Sequence, residues 1–254
     1  MLIEAIAHAR TPYASKFGVV RQPYAAHEVP GRIVFEAGRA PETFGMDGLV
    51  AGSYLWAVWA FSLNTDERRK AITVRPPRLG GKQRMGVFAT RSSFRENSLA
   101  VSALRVEAPP ACSHGIWSIE VSGMDMVDGT PVLSLRPYEP AFDAHPDAAG
   151  GWVVEQPWQP LTLADSSKRF LQLVPSRYRD GLVQVLAQDP RPAYAHAADG
   201  ARLYWIPFAQ VAFIFQVQGM VLEIVDAEPL SEEDMEELSR TGTLERLQQR
   251  CRPV

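Results

Sequence analysis

A basic window from Thr73 to Arg95, TVRPPRLGGKQRMGVFATRSSFR, holds six cations and no Asp or Glu. The 254-residue chain has a formal net charge of −3, which leaves −9 for everything outside this +6 window. Five of the six cations are arginines, whose planar guanidinium binds phosphate groups in a bidentate manner. The window therefore predicts either a polyanion partner such as RNA or DNA, or a solvated surface loop. Its cations are Arg75, Arg78, Lys82, Arg84, Arg91 and Arg95.

Two further stretches carry acids in unusual settings. In SGMDMVDGTPVLSLRPY, Asp125 and Asp128 precede a Gly-Thr-Pro turn. These carboxylates either clamp ribose hydroxyls or a cationic group of a ligand, or simply end a strand at an Asp-Gly turn. In VLAQDPRPAY, Asp189 and Arg191 are held between prolines after a predicted helix. A helix-to-loop exit explains these prolines but not the two charges between them.

Several classes of enzyme lack their signatures here. No G-x-G-x-x-G follows a strand and no G-x-S-x-G occurs, so neither a dinucleotide fold nor an esterase elbow is predicted. Gly80-Gly81-Lys82 lacks the first glycine and the Ser or Thr of a phosphate loop. The five histidines have no metal-ligand spacing with one another or with the cysteines, so we predict no metal site.

The composition indicates an ordinary globular protein of the reducing cytoplasm. Hydrophobic residues make up 46% of the chain and charged residues 22%. Cys112 and Cys251 lie far apart, which argues against a disulfide framework. The N-terminus has Glu4 within its apolar stretch and predicts no signal peptide. The most apolar region, Leu49 to Leu63, is shorter than the roughly 20 residues that a membrane helix needs.

Short strands separated by Gly, Pro and Asp turns dominate the first 140 residues. Many such strands without intervening amphipathic helices predict a mainly β fold, an antiparallel β-barrel. A helical turn is expected near Asp47 to Tyr54. The predicted strands are Ile3 to His8, Arg32 to Glu36, Leu55 to Phe61, Gly86 to Thr90, Leu99 to Val106, Ile116 to Val121 and Val132 to Leu135.

The pattern changes after Tyr138, where Glu139 to Gly151 is expected to be a linker. We predict three domains: a β-barrel at 1–140, a small α+β domain at 141–228 and a helical tail at 229–254. The elements predicted in this second half are a helix with Leu163, Phe170, Leu171 and Val174 on one face, a helix at Arg179 to Ala187, a hairpin around Gln218-Gly219, and a tail helix that Ser231 caps.

These motifs together resemble the TsaA/YaeB (TrmO-like) family. The resemblance rests on IAHARTPYASKFGVVRQP, SYLW, TVRPPRLGG with RMGVFATRS-x-FR, MDMVDGTPVL-x-L-x-PY and VLAQDPRPAY, in that order. It covers about residue 3 to 225, and the tail after Pro229 looks like an addition. The resemblance implies an S-adenosylmethionine-dependent methyltransferase, a β-barrel fold and a homodimer. Its expected substrate is threonylcarbamoyladenosine at position 37, in the tRNA anticodon loop.

The resemblance also implies which residues bind the cofactor and the RNA. The implied cofactor residues are Val20, Arg21, Gln22, Tyr54, Leu55, Arg91, Val101, Asp125, Met126, Val127, Asp128, Gly129 and Thr130. The expected RNA-binding residues are Arg75, Arg78, Lys82, Arg84, Arg95 and Arg191. Methyl transfer needs alignment of donor and acceptor and a group that takes a proton. Asp128 and Asp189 are the predicted proton acceptors, and Arg191 is expected to reach the carboxylate of the threonyl group.

The chain departs from the family pattern in FRENSLA (Phe94 to Ala100), where FRPNPIG is usual, and Tyr54 replaces a histidine. Ser134 stands where an acid is common. Two other functions stay open at this point. A non-catalytic RNA-binding barrel would explain the charge without a cofactor. A methyltransferase for another acceptor would keep the cofactor site but show little salt dependence.

Overall fold

The computed structural model describes residues 2–20, 22–36, 45–63, 71–76, 79, 81–152, 159–192 and 202–251. Within these residues the chain forms a seven-stranded sheet, a four-stranded sheet and a two-stranded hairpin. The strands are β1 (Ala7–Arg10), β2 (Pro30–Phe35), β3 (Tyr54–Ala60), β4 (Thr73–Val74), β5 (Met85–Gly86), β6 (Leu99–Val106), β7 (Ala111–Ser113), β8 (Ile116–Ser122), β9 (Pro131–Tyr138), β10 (Thr162–Leu163), β11 (Tyr204–Phe208), β12 (Val211–Gln218) and β13 (Val221–Pro229). The α-helices are α1 (Pro140–Asp143), α2 (Arg179–Ala187), α3 (Glu232–Thr241) and α4 (Glu245–Arg250).

The larger sheet is antiparallel, with the strand order β2-β1-β9-β3-β6-β8-β7. β2 also pairs with β8, so the hydrogen-bonded order returns to its starting strand. Alternate residues of each strand face one core, to which β3 contributes Leu55, Ala57 and Trp59 and β6 contributes Leu104. Ser102 occupies an inward position in the same alternation. A hydroxyl in such a place needs a hydrogen-bond partner.

The smaller sheet has the order β10-β13-β12-β11, and its central strand β12 is buried on both faces. Phe213 and Phe215 pack into the main core. Ala212 and Ile214 point the other way and pack with Leu238 of α3 and with α4. This double burial explains why β12 reads VAFIFQVQ, an almost continuous apolar run.

Helix α2 attaches the second half of the chain to the loop before β2. A Cβ atom on Gly181 would lie 2.9 Å from the Cα of Val29, so only glycine permits this approach. The Glu28 backbone N–H donates to Gln184 Oε1 at 2.9 Å across the same contact. The two halves therefore pack directly on each other, while the predicted domain boundaries stay a prediction.

Several predicted elements are confirmed. β6 has the predicted bounds, α2 covers Arg179–Ala187, and β12 and β13 form the predicted hairpin. Ser231 caps α3: its Oγ accepts from the Asp234 N–H at 3.1 Å, and the Asp234 carboxylate accepts from the Ser231 N–H at 2.9 Å. Arg246 is the main reason that the pKa of Asp234 falls to about 2.

Other predicted elements are wrong, for local reasons. Val87–Ala89 is a 3₁₀ turn instead of a strand, because Thr90 closes it through hydrogen bonds to the Val87 carbonyl. The expected helical turn near residue 47 is absent because Gly48 and Gly52 adopt φ values of 90° and 86°. Residues 140–143 form α1 inside the expected linker, and the apolar pattern after Leu163 builds a 3₁₀ helix (Asp165–Leu173).

Candidate active site

Asp125 is the acid that the fold places in a chemically distinctive setting. It follows the end of β8, and its Oδ1 accepts a hydrogen bond of 2.7 Å from the inward-facing Ser102 hydroxyl. Ser102 Oγ in turn accepts from the Trp59 indole N–H at 2.9 Å. Trp59 belongs to β3 and Ser102 to the neighbouring strand β6. Ala57 pairs with Ser102 across these strands, so Trp59, two residues further along the same face of β3, lies close to the Ser102 hydroxyl. The carboxyl group therefore has one oxygen held in place.

The surroundings of Asp125 change its protonation. Burial raises its pKa from 3.8 to about 7, while the Ser102 hydrogen bond and the charge of Arg91 oppose that shift. The residue as a whole keeps a partly exposed edge, so the carboxyl is enclosed by protein yet reachable from outside. Near neutral pH the group exists in both protonation states, as a proton acceptor requires.

Tyr13 adds a second polar group to this region. Its ring is fully buried and packs edge-on against Phe208, with ring centroids 5.6 Å apart. Among the described residues no group satisfies its hydroxyl with a hydrogen bond of normal geometry, although the Val20 backbone lies close by. Burial and the nearby Asp125 charge raise its pKa well above the ordinary value, so the hydroxyl stays protonated.

Arg91 and Gln22 bring hydrogen-bond donors to the same place. Arg91 Nη1 donates to Gln22 Oε1, and the Arg91 charge acts on Asp125. Both residues were predicted to bind the cofactor, as was Asp125. Gln22 thus contacts Arg91, and the Arg91 charge reaches Asp125. That these residues bind the cofactor stays a prediction. Arg21 lies outside the described residues.

The loop after Asp125 is fixed by its neighbours. The Thr11 hydroxyl donates to the Met126 carbonyl at 2.9 Å, and the Thr130 hydroxyl donates to the Val127 carbonyl at 2.7 Å. Gly129 adopts a φ of 77°. Of the predicted loop residues, Met126 and Thr130 are buried, which gives the loop a fixed shape next to Asp125.

Asp128 points away from Asp125. Its carboxylate accepts from the Thr11 N–H at 2.9 Å and lies 3.5 Å from the Arg10 guanidinium. The side chain is exposed and forms part of a separate groove. Its predicted role as proton acceptor therefore has no support from the geometry.

The other predicted cofactor residues are spread over different surroundings. Val20 is buried close to Tyr13. Val101 is half exposed on the outer face of β6, beside the inward Ser102. Leu55 is in the core, and Tyr54 packs edge-on against Tyr138 at 6.3 Å, several residues along β3 from the partner of Ser102. No hydrogen bond joins Tyr54 or Leu55 to Asp125 among the described residues, and their role in cofactor binding stays a prediction.

Asp189 and Arg191 form a closed ion pair. Arg191 Nε and Nη2 donate to the two carboxylate oxygens of Asp189, each at 2.8 Å, and Arg191 is only 5% exposed. Asp189 adopts a φ of 50° and its N–H bonds to the Leu186 carbonyl at the end of α2. For either residue to act on a substrate, this pair would have to open.

The basic window is displayed around the β4–β5 hairpin. Arg75, Lys82 and Arg84 are exposed, as expected of residues that contact a polyanion. Arg95 is only partly exposed, because it donates to the Ser92 and Thr90 carbonyls and so holds its own loop. Arg78 lies outside the described residues.

Sequence reasoning missed Ser102, Trp59 and Tyr13. One signal was available for Ser102: the alternation in LAVSALRV puts this serine in the same inward set as Leu104 and Val106, where a hydroxyl must find a partner. Nothing in the sequence marks that partner as Asp125, because the contact depends on how β8 ends.

Two family models cover most of the chain. The tRNA-methyltransferase O N-terminal domain matches residues 8–144, and the TrmO C-terminal domain matches residues 160–230. The chain belongs to the tRNA-methyltransferase O family. The matched residues include Asp125, Ser102 and Arg91, while α3 and α4 lie after the second match.

Relatives and solved structures agree with that assignment. The chain is 34% identical to the tRNA (adenine(37)-N6)-methyltransferase of Escherichia coli over 89% of this chain and 97% of that protein. It is 42% identical to a protein of the same name from Eikenella corrodens, over 59% of this chain and 82% of that protein. A crystal structure of TrmO has a TM-score of 0.68 at 25% identity, covering 89% of this chain and 98% of the other.

Neither a candidate membrane helix nor a candidate metal site occurs among the described residues. No helix in this part of the chain is long and apolar enough to cross a bilayer. The same residues contain no group of three or more His, Cys, Asp or Glu side chains that could hold a metal ion.

Proposed function

We propose that this chain methylates N6 of adenosine 37 in tRNA, with S-adenosylmethionine as the methyl donor and threonylcarbamoyladenosine as the acceptor nucleoside. It is an RNA methyltransferase of the tRNA-methyltransferase O family, whose relatives are named tRNA (adenine(37)-N6)-methyltransferases. A further relative in Pseudomonas aeruginosa is named a putative S-adenosylmethionine-dependent methyltransferase, with 33% identity over 86% of its length. These names, together with the half-enclosed Asp125 carboxyl, carry the proposal.

The side chains around Asp125 fit such a cofactor chemically. S-adenosylmethionine supplies a methyl group on a positively charged sulfur and also carries a carboxylate. Arg91 and Gln22 offer donors for a carboxylate, and Asp125 offers negative charge for a cation. Their opposite charges lie in one small region that three segments of the chain build. We assign Arg91 and Gln22 to cofactor binding on this basis.

Asp125 is our candidate for the proton acceptor. The acceptor nitrogen of threonylcarbamoyladenosine bears a carbonyl group, so it is a weak nucleophile whose proton is easier to remove. A base works best when its pKa lies near the working pH, and burial raises the pKa of Asp125 to about 7. Ser102 holds one carboxylate oxygen, and the backbone of Asp125 itself also favours the charged form. Among the described residues no other side chain donates to this group, which leaves the carboxylate as a candidate partner for a substrate N–H.

The exposed cations of the basic window fit the role of RNA contacts. Arg75, Lys82 and Arg84 are exposed and form no ion pair with a carboxylate of the described residues, so they can bind backbone phosphates. The anticodon loop is single-stranded, so its base can be presented without melting a helix. We also propose that the returning strand order of the larger sheet is a closed antiparallel barrel. A homodimer and a cytoplasmic location remain part of the same proposal.

One reaction tests the proposal. Purified protein, S-adenosylmethionine and tRNA that carries unmethylated threonylcarbamoyladenosine are incubated together, and the nucleosides are then resolved by mass spectrometry. We expect threonylcarbamoyladenosine to gain one methyl group. A tRNA transcript with plain adenosine at position 37 is the matched control. It shows whether methylation requires the threonylcarbamoyl group or only the tRNA. Unchanged nucleosides in the modified tRNA would contradict the proposal.

The two other functions raised by the sequence give different results in that reaction. A non-catalytic RNA-binding protein would bind tRNA and leave every nucleoside unchanged. A methyltransferase for another acceptor would bind S-adenosylmethionine yet leave tRNA unmethylated. The family relationship argues against the first of these, because the relatives named above are methyltransferases.

A further inference from the structure

A groove of about 420 Å³ lies beside strands β1, β2 and β8 of the larger sheet, and Asp125 is not among the residues that line it. We call it the arginine groove. Its walls come from β1, β2, β8, the loop at Asp128, the segment before α2, the β11–β12 turn and α3. The charged and polar residues that matter here are Arg10, Arg32, Arg177, Glu120, Asp128 and Gln210. No role assigned above accounts for this collection.

Strand register builds the first wall of the groove. Arg10 of β1 pairs with Arg32 of β2, and Arg32 pairs with Glu120 of β8, so three charged side chains lie side by side across adjacent strands. Glu120 is neutralised within this row, since Arg32 Nε donates to its Oε1 at 2.6 Å. Asp128 accepts from the Thr11 N–H and meets Arg10 only at 3.5 Å. Both acids in the groove are therefore engaged.

Arg177 supplies the positive charge that remains. Its guanidinium lies 4.7 Å from the centroid of the Tyr178 ring, and its Nη2 contacts the Tyr178 hydroxyl at 3.0 Å. Tyr178 is itself anchored edge-on against the buried Phe208 at 6.2 Å. In the part of the chain that the structure describes, no carboxylate pairs with Arg177. The groove thus presents an oriented guanidinium whose remaining N–H groups can donate to an anion.

The β11–β12 turn adds a polar side chain at the rim. Ala209 and Gln210 adopt φ values of 50° and 63°, a region that favours glycine. The turn is held by bonds from the Ala209 N–H to the Pro12 carbonyl and from the Leu230 N–H to the Gln210 carbonyl, each 2.8 Å. Gln210 is exposed, so its amide can donate into the groove. Positive φ at both central residues is the geometry that a two-residue type I′ hairpin turn requires.

The groove and the candidate active site share one loop. Asp128 lines the groove, and Asp125 lies three residues earlier in the chain. Three residues span at most about 11 Å between Cα atoms, even when fully extended. A polynucleotide whose acceptor base is presented to Asp125 can therefore reach the groove within a few nucleotides.

We infer that the arginine groove binds a phosphodiester of the substrate RNA, with Arg177, Arg10 and Gln210 as the donors. The inference rests on the proposed function, because it requires an RNA whose acceptor nucleotide lies at Asp125. An RNA phosphodiester and free phosphate share the chemistry that would be recognised here. The position next to the Asp125 loop favours the RNA.

The test compares two arginines in equivalent settings. Arg177→Ala removes the groove cation, and Arg169→Ala removes an arginine that stacks in the same way on its neighbour Phe170, also at 4.7 Å, outside the groove. Binding of the modified tRNA is measured between about 50 and 200 mM salt, where each phosphate contact contributes roughly 0.7 to 0.9 to the logarithmic salt slope. S-adenosylmethionine affinity is measured by calorimetry on the same samples.

We expect Arg177→Ala to weaken tRNA binding about tenfold at low salt and to lower the salt slope by roughly 0.7 to 0.9, with S-adenosylmethionine affinity unchanged. Arg169→Ala should keep the wild-type slope. A wild-type slope in Arg177→Ala would overturn the groove inference while leaving the proposed function intact. Wild-type protein that does not bind tRNA would instead bring down both. Calorimetric binding of inorganic phosphate that Arg177→Ala abolishes, with tRNA binding intact, would mark a free-anion site and also overturn the inference.

Discussion

Asp125 and Asp189 are both largely enclosed aspartates next to turns, but they have different neighbours. Asp189 faces the Arg191 guanidinium, which binds both of its oxygens at 2.8 Å. Asp125 faces the Ser102 hydroxyl and feels Arg91 only through its charge. A guanidinium that binds both oxygens of a carboxylate favours its charged form. A buried carboxylate whose partner is a hydroxyl instead has a pKa close to neutral pH. Burial raises the pKa of Asp125 because its partners only partly oppose that shift, whereas the Arg191 fork engages both oxygens of Asp189 in an ion pair.

The largest effect that we predict comes from Asp189→Asn. It removes the negative charge that both Nε and Nη2 of the nearly buried Arg191 contact, and breaking one half of a buried pair costs about 3 to 5 kcal/mol of unfolding free energy. Urea unfolding at neutral pH measures this. Asp165→Asn is the control, because Asp165 and its partner Lys168 are exposed and such pairs contribute about 1 kcal/mol or less. Equal losses in the two variants would show that Asp189 and Arg191 are not a structural pair.

Asp125→Asn is predicted to change stability in the opposite direction. Since the pKa of Asp125 is about 7 in the folded chain and 3.8 as a free side chain, the folded form retains a proton that the unfolded form has lost between these values. The wild type should therefore lose stability as pH rises from about 4 to 7. The asparagine variant should not, and at pH 8 it should be more stable by on the order of 4 kcal/mol, the equivalent of the rise in pKa from 3.8 to about 7. Urea unfolding at pH 4, 6 and 8 measures the difference, and parallel curves for the two proteins would contradict the raised pKa.

Ser102→Ala should produce a smaller change, in the pH dependence of activity. The Ser102 hydrogen bond favours the charged form of Asp125, so its removal raises the pKa of Asp125 further. The pH at which kcat/KM reaches half its maximum should move upward, with little loss at high pH. Ser53→Ala is the control, because the Ser53 hydroxyl donates to the nearby Val50 carbonyl in an exposed turn. A loss of activity that is the same at every pH would point to a packing defect instead.

Part of the fold and of the candidate site was predictable from the sequence. Motif order located Asp125, Arg91 and Gln22, and periodicity located β6, α2 and the capped helix α3. These features depend on local patterns that short segments carry by themselves.

The choice among the aspartates was not predictable, because it depends on contacts between distant segments. Asp128 is three residues from Asp125 but bonds to Thr11, and Asp189, which is itself in the left-handed region, bonds to Arg191. Tyr13 and Trp59 read as ordinary core aromatics in the sequence. Their polar atoms become relevant only when the sheet brings Ser102 and Asp125 between them.

The most direct test of the account is the pH dependence of tRNA methylation by the wild type and by Asp125→Asn. We predict that wild-type kcat/KM rises with pH through a midpoint at or below about 7, since a bound cationic cofactor can only favour the carboxylate. The asparagine variant should be slower by about 10² or more and lack that rise, while it binds S-adenosylmethionine and tRNA as folded protein. If Asp125→Asn keeps the wild-type rate and the same midpoint, another group takes the proton and the assignment of Asp125 is wrong.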